Sequence, residues 1–179
     1  ERHERLQRAL YAIANLADAH LDMHDVLAQV HAICGGLTYA ENLLIVMADA
    51  DSDVMRVLYY ADSVTPHALQ EGQVLAISEF PNSLTLALLR NGQPLLGSSP
   101  ELRQRLGLVS DLRLGGESVH WLGVPMIEGG QVRGAVVVQS YEDAHRFHDD
   151  DVALLTFVAQ HVLAALTRSH ARLTAGDGK

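Results

Sequence analysis

The chain has 179 residues, of which 48% are hydrophobic and 20% are charged, so it can build a folded core and does not have the composition of a disordered protein. Its 13 basic and 22 acidic residues give a net charge of −9, which disfavours binding to the phosphates of nucleic acids. The single cysteine, Cys34, excludes an intrachain disulfide and a cysteine-rich zinc site.

The first part of the chain predicts helical structure. Apolar residues recur at three- and four-residue spacing from Leu6 to Ala17 and again from Val26 to Leu37. Asp22 is a candidate N-cap for the second stretch, and the two stretches form either two helices or one bent helix. Cys34 falls on the apolar stripe, which favours a buried thiol and leaves redox sensing as the alternative.

The middle of the chain begins with a predicted β-hairpin, whose strands are Asn42–Ala48 and Val54–Tyr60 with an acidic turn between them. Residues 61–80 show no sustained period and are interpreted as a long loop with one short helix at most. A helix is predicted after Pro81-Asn82-Ser83, ending at Asn91-Gly92. Two short elements follow: a strand at Pro94–Leu96 and a helix at Pro100–Leu106.

The last part of the chain predicts a second hairpin and a long helix. Two apolar runs, 119–127 and 132–140, flank Gly129-Gly130, and two glycines supply the positive φ angles that a tight hairpin turn needs. The second run is apolar on both faces, so it should be a central strand covered on both sides. Asp149–Asp151 place negative charge at the start of a helix that continues to Leu173.

These elements predict an α+β fold with a central, mainly antiparallel sheet. The N- and C-terminal helices should cover one face, with loops and short helices over the other. We expect a single domain over residues 1–179, with a core of about 10–168 and residues 1–9 and 169–179 as helix extensions and tail. The chain shows no membrane-spanning run, and its charged start is unlike a signal peptide, so a cytoplasmic protein is expected.

Four short segments occur in a characteristic order: Tyr39–Asn42 before the first strand, Trp121–Met126 with its Val-Pro, Gly134–Tyr141 followed by Phe147, and Leu154–His161 in the last helix. In this order they resemble the GAF domain, a small sensory module of signalling proteins. The likeness covers roughly residues 10–168. It implies a bacterial sensor domain of the type found upstream of diguanylate cyclase, phosphodiesterase or histidine kinase domains, in a chain that holds no such output domain itself.

The chemistry of several GAF subfamilies does not transfer to this sequence. Cys34 lies on a helix rather than near a pocket, which argues against attachment of a bilin chromophore. One cysteine is too few for reduction of methionine sulfoxide, and Lys179 is the only lysine, so the cyclic-nucleotide signature of mammalian phosphodiesterases is missing. We therefore expect a non-enzymatic domain with no catalytic residues and no cofactor.

The histidines are interpreted mainly as surface or capping residues. His20 and His24 could bind a metal ion if one helix ran through both, but no third ligand is evident. The acidic residues after His148 are typical of a helix start. We therefore expect no metal site. The candidate ligand-binding residues are polar or aromatic side chains near the loop-covered face, and they are Tyr60, Asn82, Ser83, Arg113 and Trp121.

The terminal helices predict a homodimer. Leu6, Leu10, Leu166 and Leu173 extend the apolar stripes toward the chain ends, where a partner helix would bury them.

The leading hypothesis is a sensor that binds a small molecule or a partner and relays the signal through these helices to cyclic-di-GMP turnover or a histidine kinase. The alternative is a dimerisation module whose pocket is filled by its own core.

Overall fold

The computed structural model describes residues 1–16, 21–49, 51–110 and 117–176, and the side chains of these residues as far as 171. Six strands form one sheet, and five α-helices and a short 3-10 helix complete the described part of the chain. The helices are α1 (Arg2–Leu16), α2 (Met23–Gly35), α3 (Leu84–Asn91), α4 (Ser99–Leu106) and α5 (Asp149–Gly176). The strands are β1 (Asn42–Asp49), β2 (Val54–Ala61), β3 (Val74–Ala76), β4 (Leu95–Ser98), β5 (His120–Glu128) and β6 (Gln131–Ser140).

The sheet has the order β3-β2-β1-β6-β5-β4, and every neighbouring pair is antiparallel. This confirms the predicted α+β fold. Both predicted hairpins are present, and Gly129 and Gly130 adopt φ angles of 57° and 76° in the second turn. The prediction missed β3, a three-residue edge strand inside the expected loop, because its pairing with β2 depends on a distant segment rather than on local pattern.

The two faces of the sheet are covered differently. Helices α1, α2 and α5 cover one face, where Ile13, Leu27 and Leu155 pack against Ile45 and Val124 of the strands. Helices α3 and α4 and the connection between β2 and α3 (residues 62–83, which we call the lid) cover the other face. This division is the predicted one, and it follows from the central strands β1 and β6, which are apolar on both sides.

The N-terminal helices and the long last helix form the helical layer. Asp22 precedes α2 as predicted, but its side chain makes no capping hydrogen bond.

Among the described residues, one helix, α5, is long and apolar enough over Asp149–Ala171 to cross a membrane by length and composition alone. A core helix of a soluble protein passes the same test, and Leu155, Val158 and Val162 of α5 lie in the core against the sheet.

Gly134 allows the two central strands to approach each other. A Cβ added at this position would clash with the carbonyl oxygen of Val46 on β1 and would lie 2.6 Å from the Met126 methyl carbon. We expect Gly134→Ala to lower the free energy of unfolding by about 1–3 kcal/mol, because backbone atoms must shift to accept the methyl group. Urea denaturation measures this change.

The matched control is Gly35→Ala at the end of α2, where a new Cβ meets no atom within 4 Å. That variant should be as stable as the natural chain or slightly more stable, since alanine favours the helix. Equal stability of the two variants would contradict the close approach of β1 and β6.

His120 on β5 introduces a pH dependence into the stability of the fold. Its ring is buried, and Nδ1 accepts a hydrogen bond from the backbone N–H of Phe147 at 3.1 Å. Burial lowers the pKa of His120, and the charge of Arg146 lowers it further. The unfolded chain therefore binds a proton more readily, so stability falls as the pH drops below the ordinary histidine pKa of about 6.5.

We expect His120→Asn to flatten this part of the pH profile, because the asparagine oxygen can replace Nδ1 as acceptor but does not titrate. Urea midpoints measured between about pH 5 and pH 7 would show a shallower slope in the variant. Identical slopes would mean that His120 does not carry this dependence.

Candidate functional site

A cavity lies between the sheet and the lid, on the face opposite the helical layer. It encloses about 90 Å³ that the centre of a water molecule can reach, which is room for several waters or a small ligand. Strands β1, β2, β5 and β6 form its floor, and the lid, α3 and α4 form its walls. Its lining combines apolar residues (Leu43, Leu44, Met55, Ala61, Leu69, Phe80, Leu84, Trp121, Val137) with polar ones (Asn42, Tyr60, Asp62, Ser83, Thr85, Arg103, Ser118, Gln139).

The buried carboxylate of Asp62 fastens the start of the lid. Its Oδ1 accepts hydrogen bonds from the backbone N–H groups of Val64 (2.9 Å) and Thr65 (2.7 Å) and from the Thr65 hydroxyl. Its Oδ2 accepts from the Tyr141 hydroxyl (2.7 Å) and from Gln139 Nε2 (3.0 Å) at the end of β6. Five donors therefore hold one carboxylate, so the lid is joined to the sheet by a polar network rather than by apolar packing alone.

Asn42 and Tyr60 continue this network along the first hairpin. Asn42 Nδ2 donates to the carbonyl of Gln139 at 2.8 Å, and its Oδ1 accepts from the backbone N–H and hydroxyl of Ser63. The Tyr60 hydroxyl donates to the carbonyl of Thr65 at 2.6 Å. Together with Asp62, these side chains fix the path of the chain as it leaves β2.

The phenols of the site stay protonated. Burial raises the pKa of Tyr141, and the hydrogen bond to the Asp62 carboxylate raises it further. Burial also raises the pKa of Tyr60. Both side chains therefore act as hydrogen-bond donors at neutral pH, and neither is poised for proton transfer.

Arg103 supplies the cation of the cavity lining. Its side chain, on α4, is 15% exposed, and Nε donates to Glu117 at 2.8 Å. Nη1 donates to the carbonyl oxygens of Asn82 (2.8 Å) and Val109 (3.1 Å). These bonds hold the guanidinium in one place beside the start of α3.

The first turn of α3 forms the neighbouring wall. Ser83 is the N-cap of the helix that the sequence predicts here, and its hydroxyl accepts from the backbone N–H of Leu86 at 3.2 Å. Thr85, the second residue of α3, is buried and lines the cavity. The positive end of the helix therefore faces the cavity.

Trp121, the only tryptophan of the chain, lies on β5 with 3% of its surface exposed. Its ring covers Gly123, since a Cβ added there would lie 2.5 Å from the Cη2 atom of the indole. The glycine therefore leaves the space that the tryptophan ring occupies on this face of the sheet.

The structure brings three of the five candidate ligand-binding residues together, because Tyr60, Ser83 and Trp121 all line the cavity. Asn82 is next to it, with its side chain accepting from the backbone N–H of Val109 instead of facing the cavity. Arg113 lies outside the described residues. Arg103, which sequence reasoning missed, places a positive charge in the cavity lining.

Other cavity residues were also missed. Asp62, two residues after Tyr60, could have been found as a turn-forming acid at the start of the loop. Thr85 and Gln139 carry no such signal, because only the arrangement of strands and helices shows that they face the same cavity.

The predicted dimer residues have varied surroundings. Leu6 and Leu10 are half-buried and line a groove with Leu37, Leu154 and Phe157 between the N-terminal ends of α1 and α5. Leu166 is half-buried against the core of the helical layer. Leu173 belongs to α5, but its side chain lies outside the described residues.

The remaining candidates for reactivity have structural contacts. Cys34 is fully buried, and burial raises the pKa of its thiol to about 12, so it is not activated as a thiolate. His24 contacts Glu71 of the lid at 2.7 Å, and His20 lies outside the described residues. No group of three or more metal-ligating side chains occurs within the described parts of the chain.

A family model described as GAF domain matches residues 20–167 of the chain. No curated protein matches the sequence. Among solved structures, the chain is similar to the GAF domain of a phosphoenolpyruvate-protein phosphotransferase from Coxiella burnetii. The TM-score is 0.73 at 19% identity, and the alignment covers 97% of this chain and 98% of that chain.

Two further solved structures have the same fold. The GAF domain/HD domain protein from Geobacter sulfurreducens has a TM-score of 0.62 and 22% identity, with 90% of this chain and 98% of that chain covered. The GAF domain of a two-component sensor histidine kinase from Bacillus halodurans has a TM-score of 0.64 and 12% identity, with 84% and 97% covered. Identities this low establish the fold and not the ligand.

The Asp62 network yields a prediction for the lid. We expect Asp62→Asn to destabilise the chain by about 1–3 kcal/mol, because the amide nitrogen cannot accept the hydrogen bonds that the carboxylate oxygen receives. Amide hydrogen exchange should also accelerate selectively over residues 63–73, since Asp62 loses the acceptor through which Tyr141 and Gln139 hold the start of the lid to the sheet.

Asp51→Asn, in the exposed turn between β1 and β2, is the control and should leave both exchange and stability unchanged. Uniform acceleration across all strands of the Asp62→Asn variant would indicate general destabilisation and would contradict a local role in holding the lid.

Proposed function

The chain belongs to the GAF domain family, and from this premise we propose that it is a sensor whose lid-covered cavity binds a small molecule. GAF domains are generally signalling and regulatory modules and are typically not catalytic. The proposal rests chiefly on one observation, the cavity beside Trp121. It has apolar walls and a few convergent polar groups, which is the usual composition of a small-molecule site.

A relay from the cavity to the helical layer is part of this proposal. Tyr60 lines the cavity, whereas its neighbour Tyr59 packs on the opposite face of the sheet. There the Tyr59 hydroxyl lies 2.6 Å from Nδ1 of His31 on α2, and His31 Nε2 donates to the carbonyl of Ala40. A ligand that changes the position of β2 therefore also changes the contacts of α2.

Such a sensor would regulate an output domain. We assign it to a signalling protein of the cytoplasm, with cyclic-di-GMP turnover or a histidine kinase as the regulated activity and a homodimer as the working state. The solved GAF domain of the sensor histidine kinase from Bacillus halodurans and the GAF domain/HD domain protein from Geobacter sulfurreducens provide the context for this assignment.

The alternative function is a dimerisation module that binds no ligand. The groove between α1 and α5 favours it, since Leu6, Leu10 and Phe157 give this groove an apolar surface. A chain that is dimeric in analytical ultracentrifugation, and whose dimer is indifferent to every ligand, would fit this alternative.

The single tryptophan provides a direct test of the receptor function. Because Trp121 lines the cavity, a ligand that enters should change its fluorescence intensity and reduce its quenching by acrylamide. We expect at least one compound of a metabolite library to do so with saturation and to raise the melting temperature. N-acetyltryptophanamide, measured with the same compounds, corrects for absorption by the compounds themselves.

Native mass spectrometry of the purified chain complements this screen by detecting a co-purified small molecule and the number of subunits. The receptor function would be wrong if no compound changed Trp121 fluorescence or thermal stability and the spectrum contained only the mass of the protein.

A further inference from the structure

The wall of the cavity at α3 and α4 has more hydrogen-bond donors than acceptors. The first backbone N–H groups of α3, those of Leu84 and Thr85, have no acceptor within the helix, as in any helix start. Both residues line the cavity. The cap hydroxyl of Ser83 serves the next N–H group, that of Leu86, and leaves these two available.

Two buried side chains on the cavity wall add further donors. Thr85 is 8% exposed and Trp121 is 3% exposed, yet neither side chain makes a hydrogen bond to any described residue. Neither the Thr85 hydroxyl oxygen nor the Trp121 indole nitrogen is fully buried, because every fully buried side-chain nitrogen or oxygen of the described residues has a hydrogen-bond partner. The hydroxyl and the indole N–H therefore have access to the cavity that both residues line.

The guanidinium of Arg103 completes this group. Its Nε and Nη1 are engaged by Glu117 and by two carbonyl oxygens, while Nη2 has no acceptor among the described residues. Because three bonds fix its position, the free edge can receive a ligand at little cost in side-chain entropy.

The acceptors of the cavity lining are in contrast largely occupied. Asp62 already accepts five hydrogen bonds, and Asn42 Oδ1 accepts two. A ligand that satisfies this cavity must therefore bring acceptors. A negative charge is favoured beside α3, where the helix dipole and Arg103 add to the donor groups.

The charges of the described lining residues favour a ligand with one negative charge. Arg103 is its only cation among the described residues, and Glu117 already pairs with it. A second negative charge would face the buried carboxylate of Asp62 in the same cavity. Met55, Leu69 and Val137 offer an apolar surface for the rest of the molecule.

We propose that the ligand is a small organic monocarboxylate with an apolar or aromatic remainder, bound through its carboxylate between the first turn of α3 and Arg103. This inference rests on the proposed receptor function. It goes beyond that function by naming the chemical class of the ligand and the residues that select it.

Benzoate is the probe for this proposal, with benzamide as its neutral counterpart of the same shape and phenyl phosphate as a counterpart with more negative charge. Titrations are followed by Trp121 fluorescence and by calorimetry at pH 8. We expect benzoate to bind at least about tenfold more tightly than either counterpart, since a hydrogen-bonded charge contributes about 1.5–3 kcal/mol.

Variants locate the carboxylate. Thr85→Val keeps the shape of the side chain, removes the hydroxyl and should weaken benzoate about tenfold with little effect on benzamide. Arg103→Lys keeps the charge but not the planar fork and should also weaken benzoate selectively. Thr156→Val makes the same change as Thr85→Val on α5, away from the cavity, and should not alter binding.

Each other outcome has a defined meaning. Equal affinity for benzoate and benzamide would overturn the carboxylate site. So would benzoate binding that both Thr85→Val and Arg103→Lys leave unchanged in folded protein. In either case the fluorescence response would still support a receptor. No response to millimolar benzoate would overturn the proposed ligand class. The library screen would then decide the receptor function separately, because it includes neutral and cationic compounds.

Discussion

The fold depends on two central strands that must be covered on both faces. Strands β1 and β6 lie side by side, and Ile45 and Val136 face the helical layer while Val46 and Val137 face the lid side. Because apolar side chains alternate to both sides, a single layer of helices cannot remove them all from water. The chain must therefore build two cores of different construction around one sheet.

This difference explains why the cavity beside Trp121 lies on the lid side of the sheet. Helices α2 and α5 bring continuous apolar stripes, which fill the space over their half of the sheet. The lid has little regular structure and cannot present such a stripe. Besides the apolar contacts of Leu69 and Ile77, directed hydrogen bonds hold it, above all those of Asp62. Such bonds fix the position of a segment without filling the volume beneath it.

Most of the fold could be predicted from the sequence because its signals are local. The glycine pair of the second hairpin, the Ser83 cap and the three aspartates at the start of α5 each determine a structure within a few residues. The site could be predicted only in part. Tyr60, Ser83 and Trp121 carry a recognisable residue type beside a predicted element, whereas Arg103 and Thr85 depend on how α3 and α4 pack against the sheet.

Strand β2 contacts both cores. Adjacent residues of a strand point to opposite faces, so Tyr60 contacts the cavity while Tyr59 contacts His31 of α2. The surface contact between Glu71 and His24 also joins the lid to α2, but an exposed pair of this kind contributes little. The half-buried Tyr59–His31 contact is therefore the stronger link. If β2 and α2 have two coupled arrangements, a ligand would shift the equilibrium between them only as far as it binds one arrangement more tightly than the other. A ligand that binds both equally would leave the equilibrium unchanged.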